Sequence, residues 1–255
     1  MTSEQSGHLD RGDGVRLAWR RVEGAGPTVV WLGGFMSDMS GTKAQALADW
    51  AREEGRSYLR FDYSGHGESE GAFRDCTITR WREDSLRVIG ELTEGPLVLA
   101  GSSMGGWLAC LVAAAVPERI GALVLIAPAA DFTEKLMRPN LPPEAVTALR
   151  EDGVWLRPSE YGDDPHPITR ELLEDGARWS ILEGCVPVEA PVRILQGGED
   201  PDVPWRHALE LANQIKGEDV VFTLIRDGDH RLSRPQDIER LLLTVEEACG
   251  LSDGG

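Results

Sequence analysis

Positive charge is scarce in this 255-residue chain, where 26 lysines and arginines stand against 43 aspartates and glutamates for a formal net charge of −17. That balance argues against nucleic acid and anionic membrane surfaces as partners, since both are bound through a basic footprint. Cysteine is scarce too. The four, Cys76, Cys110, Cys185 and Cys249, lie far apart without metal-ligand spacing, so neither a disulfide framework nor a thiolate metal site is expected. Reduced thiols fit a cytoplasmic setting. The longest apolar run, near residues 108–116, is well short of the ~20 residues that span a bilayer, and residues 1–9 are too polar for a signal segment. Phosphate, dinucleotide and zinc motifs are missing: there is no G-x-x-x-x-G-K-[ST] and no H-E-x-x-H. Gly65 and Gly67 begin a G-x-G-x-x-G, but Glu70 stands where its third glycine should fall. No cofactor and no metal are therefore expected.

What is present is one strong local signal. The apolar run Leu97-Val98-Leu99-Ala100 leads into Gly101-Ser102-Ser103-Met104-Gly105 and then into an apolar helical stretch, residues 107–116. A strand, a G-x-S-x-G turn and a helix in that order form a nucleophile elbow, which exposes the serine hydroxyl at the tip of a sharp turn. Gly101 and Gly105 flank Ser103 because so tight a turn leaves no room for a Cβ on either side.

A serine hydroxyl is a poor nucleophile at neutral pH, so it needs a histidine base and a carboxylate to orient that base. Both follow in the order this elbow requires. The strand at 192–196 runs into Gly197-Gly198-Glu199-Asp200-Pro201-Asp202, and the strand at 220–225 runs into Arg226-Asp227-Gly228-Asp229-His230. His230 is the base expected, because it alone among the later histidines follows a strand. His166, in a proline-rich run, and His207, at a helix start, read as solvated. Asp200 is preferred as the acid over Glu199, Asp202, Asp227 and Asp229, with Asp131, after the strand at 122–126, as the alternative. His66 reads as structural. The oxyanion of acyl transfer needs backbone donors. The amide of Met104 is one, and Phe35, in the Gly33-Gly34-Phe35 loop after the strand at 28–32, supplies the other.

These stretches resemble the α/β-hydrolases. Within them, Gly33 to Ala44, Arg60 to Ser69, Gly101 to Trp107, Gly197 to Trp205 and Asp229-His230-Arg231 resemble the branch of mitochondrial palmitoyl-protein thioesterases that also cleave acyl glucuronides. The resemblance implies a triad of Ser103, Asp200 and His230. Two departures stand out. The transit peptide of the vertebrate members has no counterpart here, and Gly33 occupies the place where many α/β-hydrolases have histidine, which leaves a backbone donor unaffected.

Strands expected at 15–22, 28–32, 57–61, 97–100, 122–126, 192–196 and 220–225 alternate with helices at 43–54, 78–92, 107–116, 205–215 and 236–249. That alternation forces a mostly parallel central sheet flanked by helices, an α/β-hydrolase fold in one domain. It breaks over residues 127–191, read as a helical lid insertion at about 128–190, with short helices at 143–151 and 168–182. Prolines in the connection at 155–167 argue against regular structure there. Leu136, Met137, Trp155, Tyr161 and Trp179 are the candidates to cover an acyl group. The expected function is hydrolysis of carboxylic esters or thioesters of a small-molecule or acylated substrate. Acyl transfer, aminopeptidase action or silent ligand binding on the same scaffold are the alternatives. Acyl length, leaving group and oligomeric state have no signature in the sequence.

Overall fold

The computed structural model describes residues 3–158 and 165–253. β1 (Gln5–Asp10) and β2 (Arg16–Val22) form an antiparallel hairpin. There follow β3 (Ala25–Leu32), α1 (Thr42–Glu54), β4 (Arg56–Phe61), α2 (Ile78–Leu92), β5 (Leu97–Ser102), α3 (Met104–Ala115) and β6 (Ile120–Ile126). The inserted segment holds α4 (Pro143–Glu151), β7 (Val154–Arg157), β8 (His166–Thr169) and α5 (Arg170–Arg178). The chain closes with β9 (Val192–Gly197), α6 (Trp205–Gln214), β10 (Val220–Ile225) and α7 (Pro235–Asp253). Eight strands make one sheet in the order β1-β2-β4-β3-β5-β6-β9-β10, parallel from β4 onward. β1 falls outside the expected strands: its sequence is polar, and it becomes a strand by pairing residue for residue with β2.

Side-chain alternation decides which helices cover which face. Val30, Leu32, Leu97 and Leu99 point into a core shared with α2 and α3, while Val29, Trp31, Val98 and Ala100 point into a second core under α1 and α7. β5 is buried along its whole length, as a central parallel strand covered on both faces must be. α1 ends where Gly55 takes the left-handed conformation, at φ 65°.

Between β6 and β9 the expectation holds for α4 and needs two corrections. Residues 155–167 are not irregular throughout, because Val154–Arg157 pairs antiparallel with His166–Thr169, placing Pro167 opposite Leu156. In a two-stranded ladder each strand is an edge, so proline's missing N–H is tolerated. The helix expected at 168–182 spans Arg170–Arg178, since the Thr169 side chain accepts from the Leu172 amide at 3.1 Å and fixes the N-terminus there. Asp175 on α5 accepts from both the amide and hydroxyl of Thr79, each at 2.7 Å, and so fastens the insertion to the first turn of α2.

α3 packs directly on the end of β3. A Cβ on Gly105 would run into the carbonyl oxygen of Leu32 and lie 2.6 Å from that of Gly33, and one on Gly101 would meet the Gly105 carbonyl. Gly105→Ala is therefore expected to destabilise the fold by about 1–3 kcal/mol, the range for an overpacked core. Urea denaturation checks it as a lowered midpoint.

α1 is tied to the segment after β10 by Lys43, whose Nζ donates to the carbonyl of Arg231. Burial, reinforced by the Arg231 charge, pushes Lys43 down to about 8 from 10.5, against the opposing pull of Asp229 and Asp237. Between those two values the unfolded chain holds the Lys43 proton more tightly than the folded one, so stability owed to this group rises with pH. The gap in denaturation midpoint between the wild type and Lys43→Met is expected to shift in favour of the wild type from pH 8 to pH 10. A gap that stays constant over that window would refute the assignment.

Candidate active site

The sharp turn after β5 puts Ser103 in the left-handed region, at φ 55° and ψ −120°, one of five non-glycine residues with positive φ among the described residues. Three backbone bonds hold it. Its N–H donates to Ile126 O at 2.9 Å, and its carbonyl accepts from Gly106 N at 2.9 Å and Ala129 N at 3.0 Å. The hydroxyl lies 3.1 Å from Nε2 of His230, whose Nδ1 lies 2.8 Å from Oδ2 of Asp200. A carboxylate can only accept, so Nδ1 carries the proton and Nε2 presents its lone pair to the serine hydroxyl.

Both partners stand at the carboxyl ends of neighbouring parallel strands, Asp200 after β9 and His230 after β10. Their loops approach so closely that a Cβ on Gly197 would lie 2.5 Å from the carbonyls of Gly228 and Asp229. Glycine is required there. The Asp200 side chain is fully buried while that of His230 is 21% exposed, which leaves the imidazole open on the serine side. Asp200 Oδ1 accepts from the amides of Asp202 at 2.9 Å and Val203 at 2.8 Å, and Oδ2 also accepts from Gln196 Nε2 at 3.1 Å. Gln196 is a participant that sequence reading missed. It sits four residues before Asp200, on the buried strand β9.

Three of the competing acids are otherwise engaged. Asp131 is buried and accepts from Ser180 Oγ at 2.6 Å and from the amides of Ile181 and Leu182, each at 2.9 Å. Asp227 pairs with Arg234 at 2.8 Å, and Asp229 accepts the Leu232 amide at 2.8 Å. Asp200, Asp202 and His230 bring one ligand atom each within 4.8 Å of one another, the one such trio among the described residues. A cation there would compete with the His230–Asp200 hydrogen bond.

His207 corrects an expectation. It is not solvated: its ring is buried and Nε2 donates to Ala130 O at 2.8 Å, with burial holding its pKa below the usual value. A helix start looks exposed in sequence, but α6 turns this face onto the segment after β6. His66 is buried and apart from the serine, its Nε2 accepting the Met36 amide at 3.1 Å. Cys110, on the helix after the elbow, is a buried core thiol pushed up to about 12.

The loop after β3 lies against the elbow, since a Cβ on Gly34 would be 3.5 Å from the Ser103 Cβ. Met104, the first residue of α3, has an amide with no partner inside the helix. The Phe35 ring is flanked by Phe73 at 5.2 Å, Phe132 at 5.4 Å and Trp81 at 5.9 Å, and Phe132 stands 5.8 Å from Trp107. Phe132, unremarkable in sequence, is thus part of the apolar wall beside the loop. Of the expected covering residues, Leu136 and Met137 pack on the main core and Trp155 on a smaller cluster of Leu149, Ile168 and Leu173. Trp179 is tied down by Nε1 donating to Thr79 Oγ1 at 2.7 Å and by its carbonyl accepting from Trp107 Nε1 at 3.3 Å. Tyr161 lies outside the described residues.

An alpha/beta hydrolase family model matches residues 24–241. The chain is 37% identical to the mitochondrial palmitoyl-protein thioesterase ABHD10 of Bos taurus over 94% of its length and 78% of that protein. Among solved structures, a putative hydrolase from Agrobacterium vitis S4 superposes with a TM-score of 0.91 at 42% identity, covering 98% of this chain and 99% of that one. Mouse alpha/beta hydrolase domain-containing protein 10 superposes with a TM-score of 0.86 at 36% identity, covering 95% and 97%. With its sheet order, its elbow and these relatives in agreement, the chain belongs to the alpha/beta hydrolase family.

Proposed function

We propose that this protein hydrolyses carboxylic esters or thioesters through an acyl-enzyme, with Ser103 as nucleophile, His230 as base and Asp200 as its orienting carboxylate. The observation that carries the reading is the unbroken hydrogen-bond relay from Ser103 Oγ through His230 to Asp200. His230 Nε2 takes the hydroxyl proton as Oγ attacks the acyl carbonyl. Asp200 holds the tautomer and stabilises the imidazolium that forms. The amides of Phe35 and Met104 receive the oxyanion, a contribution of about 3 kcal/mol per donor. The imidazolium then protonates the departing alcohol or thiol, and a water deprotonated by the same nitrogen releases the acid and restores Ser103.

The names of the mammalian relatives, palmitoyl-protein thioesterases, support an acyl thioester or ester as substrate. Residues 128–190 act as a lid on a single domain, with Leu136, Met137, Trp155 and Trp179 on the acyl side and Phe35 and Phe132 completing the apolar wall. Trp179 contributes by anchoring the lid to α2 and α3. No helix among the described residues is long and apolar enough to cross a membrane, and no disulfide joins the cysteines. We propose a cytoplasmic setting, which suits four cysteines too widely spaced in sequence for a disulfide framework.

Hydrolysis of p-nitrophenyl esters from acetyl to palmitoyl tests the reading. Ser103→Ala is expected to abolish turnover and Asp200→Asn to lower kcat by about 10⁴-fold. Unchanged rates in Ser103→Ala would sink the mechanism. A long-chain optimum would favour a depalmitoylase, a short-chain optimum a small-ester esterase, and acyl transfer to an added amine in preference to water an acyltransferase.

A further inference from the structure

The turn between β4 and α2 grips the loop after β3 at three points. Tyr63 Oη donates to Gly33 O at 3.3 Å, His66 Nε2 accepts the Met36 amide at 3.1 Å, and Asp62 Oδ1 accepts the Met39 amide at 2.7 Å. Phe35 lies between the first two grips. The second is unusual, because a histidine ring nitrogen serves there as acceptor for a backbone N–H. His66 Nδ1 is 3.3 Å from the carbonyl oxygen of Ser64, which can only accept, so the proton sits on Nδ1 and the lone pair on Nε2.

The surroundings enforce that state. The ring is wedged edge-on among Tyr63, Phe73 and Trp81, at centroid distances of 5.5, 5.1 and 5.2 Å. Burial pushes its pKa down to about 4, so it stays neutral and keeps its acceptor. What it holds is strained: Met36 has φ 58°, a left-handed conformation that a non-glycine residue keeps only when its surroundings fix it. The peptide planes on either side of Met36 therefore depend on the bond its N–H makes, and the preceding residue is Phe35.

We propose that His66 is a positioning residue for acyl transfer, its neutral Nε2 fixing the Met36 amide so that the Phe35 amide is held ready for the oxyanion. This rests on the reading of Phe35 as an oxyanion donor. His66 touches no reacting atom and acts through two residues of backbone. Misplacing a catalytic donor by about 1 Å slows turnover by about 10²-fold while leaving ground-state binding largely intact.

The test measures kcat and KM for p-nitrophenyl acetate, together with the rate of inactivation by a fluorophosphonate, whose tetrahedral adduct calls on the same amides. Wild type, His66→Leu, His66→Gln and Ser103→Ala are compared, with thermal unfolding recorded for each. His66→Leu is expected to lose about 10²-fold in kcat with KM little changed, and to react with the fluorophosphonate more slowly in step. His66→Gln, whose side-chain carbonyl reaches the place of Nε2, is expected to recover most of both rates. Wild-type kcat in folded His66→Leu, or a His66→Gln as slow as His66→Leu, overturns the proposal. Should His66→Leu not fold, His66→Asn takes its place, since its carbonyl is too short to reach Met36, and wild-type kcat there overturns the proposal equally. Loss of activity in Ser103→Ala beside full activity in His66→Leu rejects the role of His66 alone. Activity retained in Ser103→Ala rejects the triad and this proposal with it.

Discussion

A serine backbone held at φ 55° is the constraint on which the rest of this molecule depends. Such a conformation costs about 1–3 kcal/mol and persists only where its surroundings over-determine it. Here β5 is buried along its length and paired on both sides, and α3 is covered by core over most of its residues. The Ser103 amide is bonded to the end of β6 at Ile126, and its carbonyl to Ala129 in the segment that follows. The strain at the tip is small against the apolar burial that surrounds it, so the hydroxyl is held out of the core at a fixed place and angle.

The same logic extends outward from that point. Glycine at 105 allows α3 to lie against the carbonyls that end β3, which brings the Gly33-Gly34 loop beside the serine. Parallel pairing of β9 with β10 sets Asp200 and His230 at adjacent strand ends, and Gly197 lets their loops touch. Each polar group at the site is fixed by one behind it. Gln196 and two backbone amides hold Asp200, Asp200 holds His230, and the turn with Asp62, Tyr63 and His66 holds the loop after β3. Preorganisation of this kind lets a site stabilise developing charge without reorganising during the reaction.

Buried carboxylates hold the inserted segment together and fasten it to the body. Asp131 gathers the chain after α5, and Asp175 caps the start of α2. Both accept several hydrogen bonds, which compensates the removal of their charge from water. α4 and the β7–β8 hairpin rest instead on a small apolar cluster of Leu149, Ile168 and Leu173, met by Phe35, Met137 and Trp155.

The sequence by itself determined the elbow, the alternation of strands and helices, and the candidates Ser103, His230 and Asp200, because each is written in contiguous residues whose local geometry has few solutions. G-x-S-x-G after an apolar strand admits one sharp turn, and a helix pattern ending at Gly55 has one natural stop. Only the tertiary structure decided what depends on contacts distant in the chain. The polar β1 is a strand because β2 lies beside it, and His207 is buried because α6 faces the segment after β6. Asp131 left the contest for His230 because residues 180–182 return to it, and Gln196 joined because the strand end points it at Asp200. The role of His66 is of this second kind: a ring thirty residues from Met36 in sequence meets its amide only after β3 and β4 pair side by side. Periodicity and turn chemistry act over a few residues, whereas a hydrogen bond between loops exists only once the sheet has set their separation.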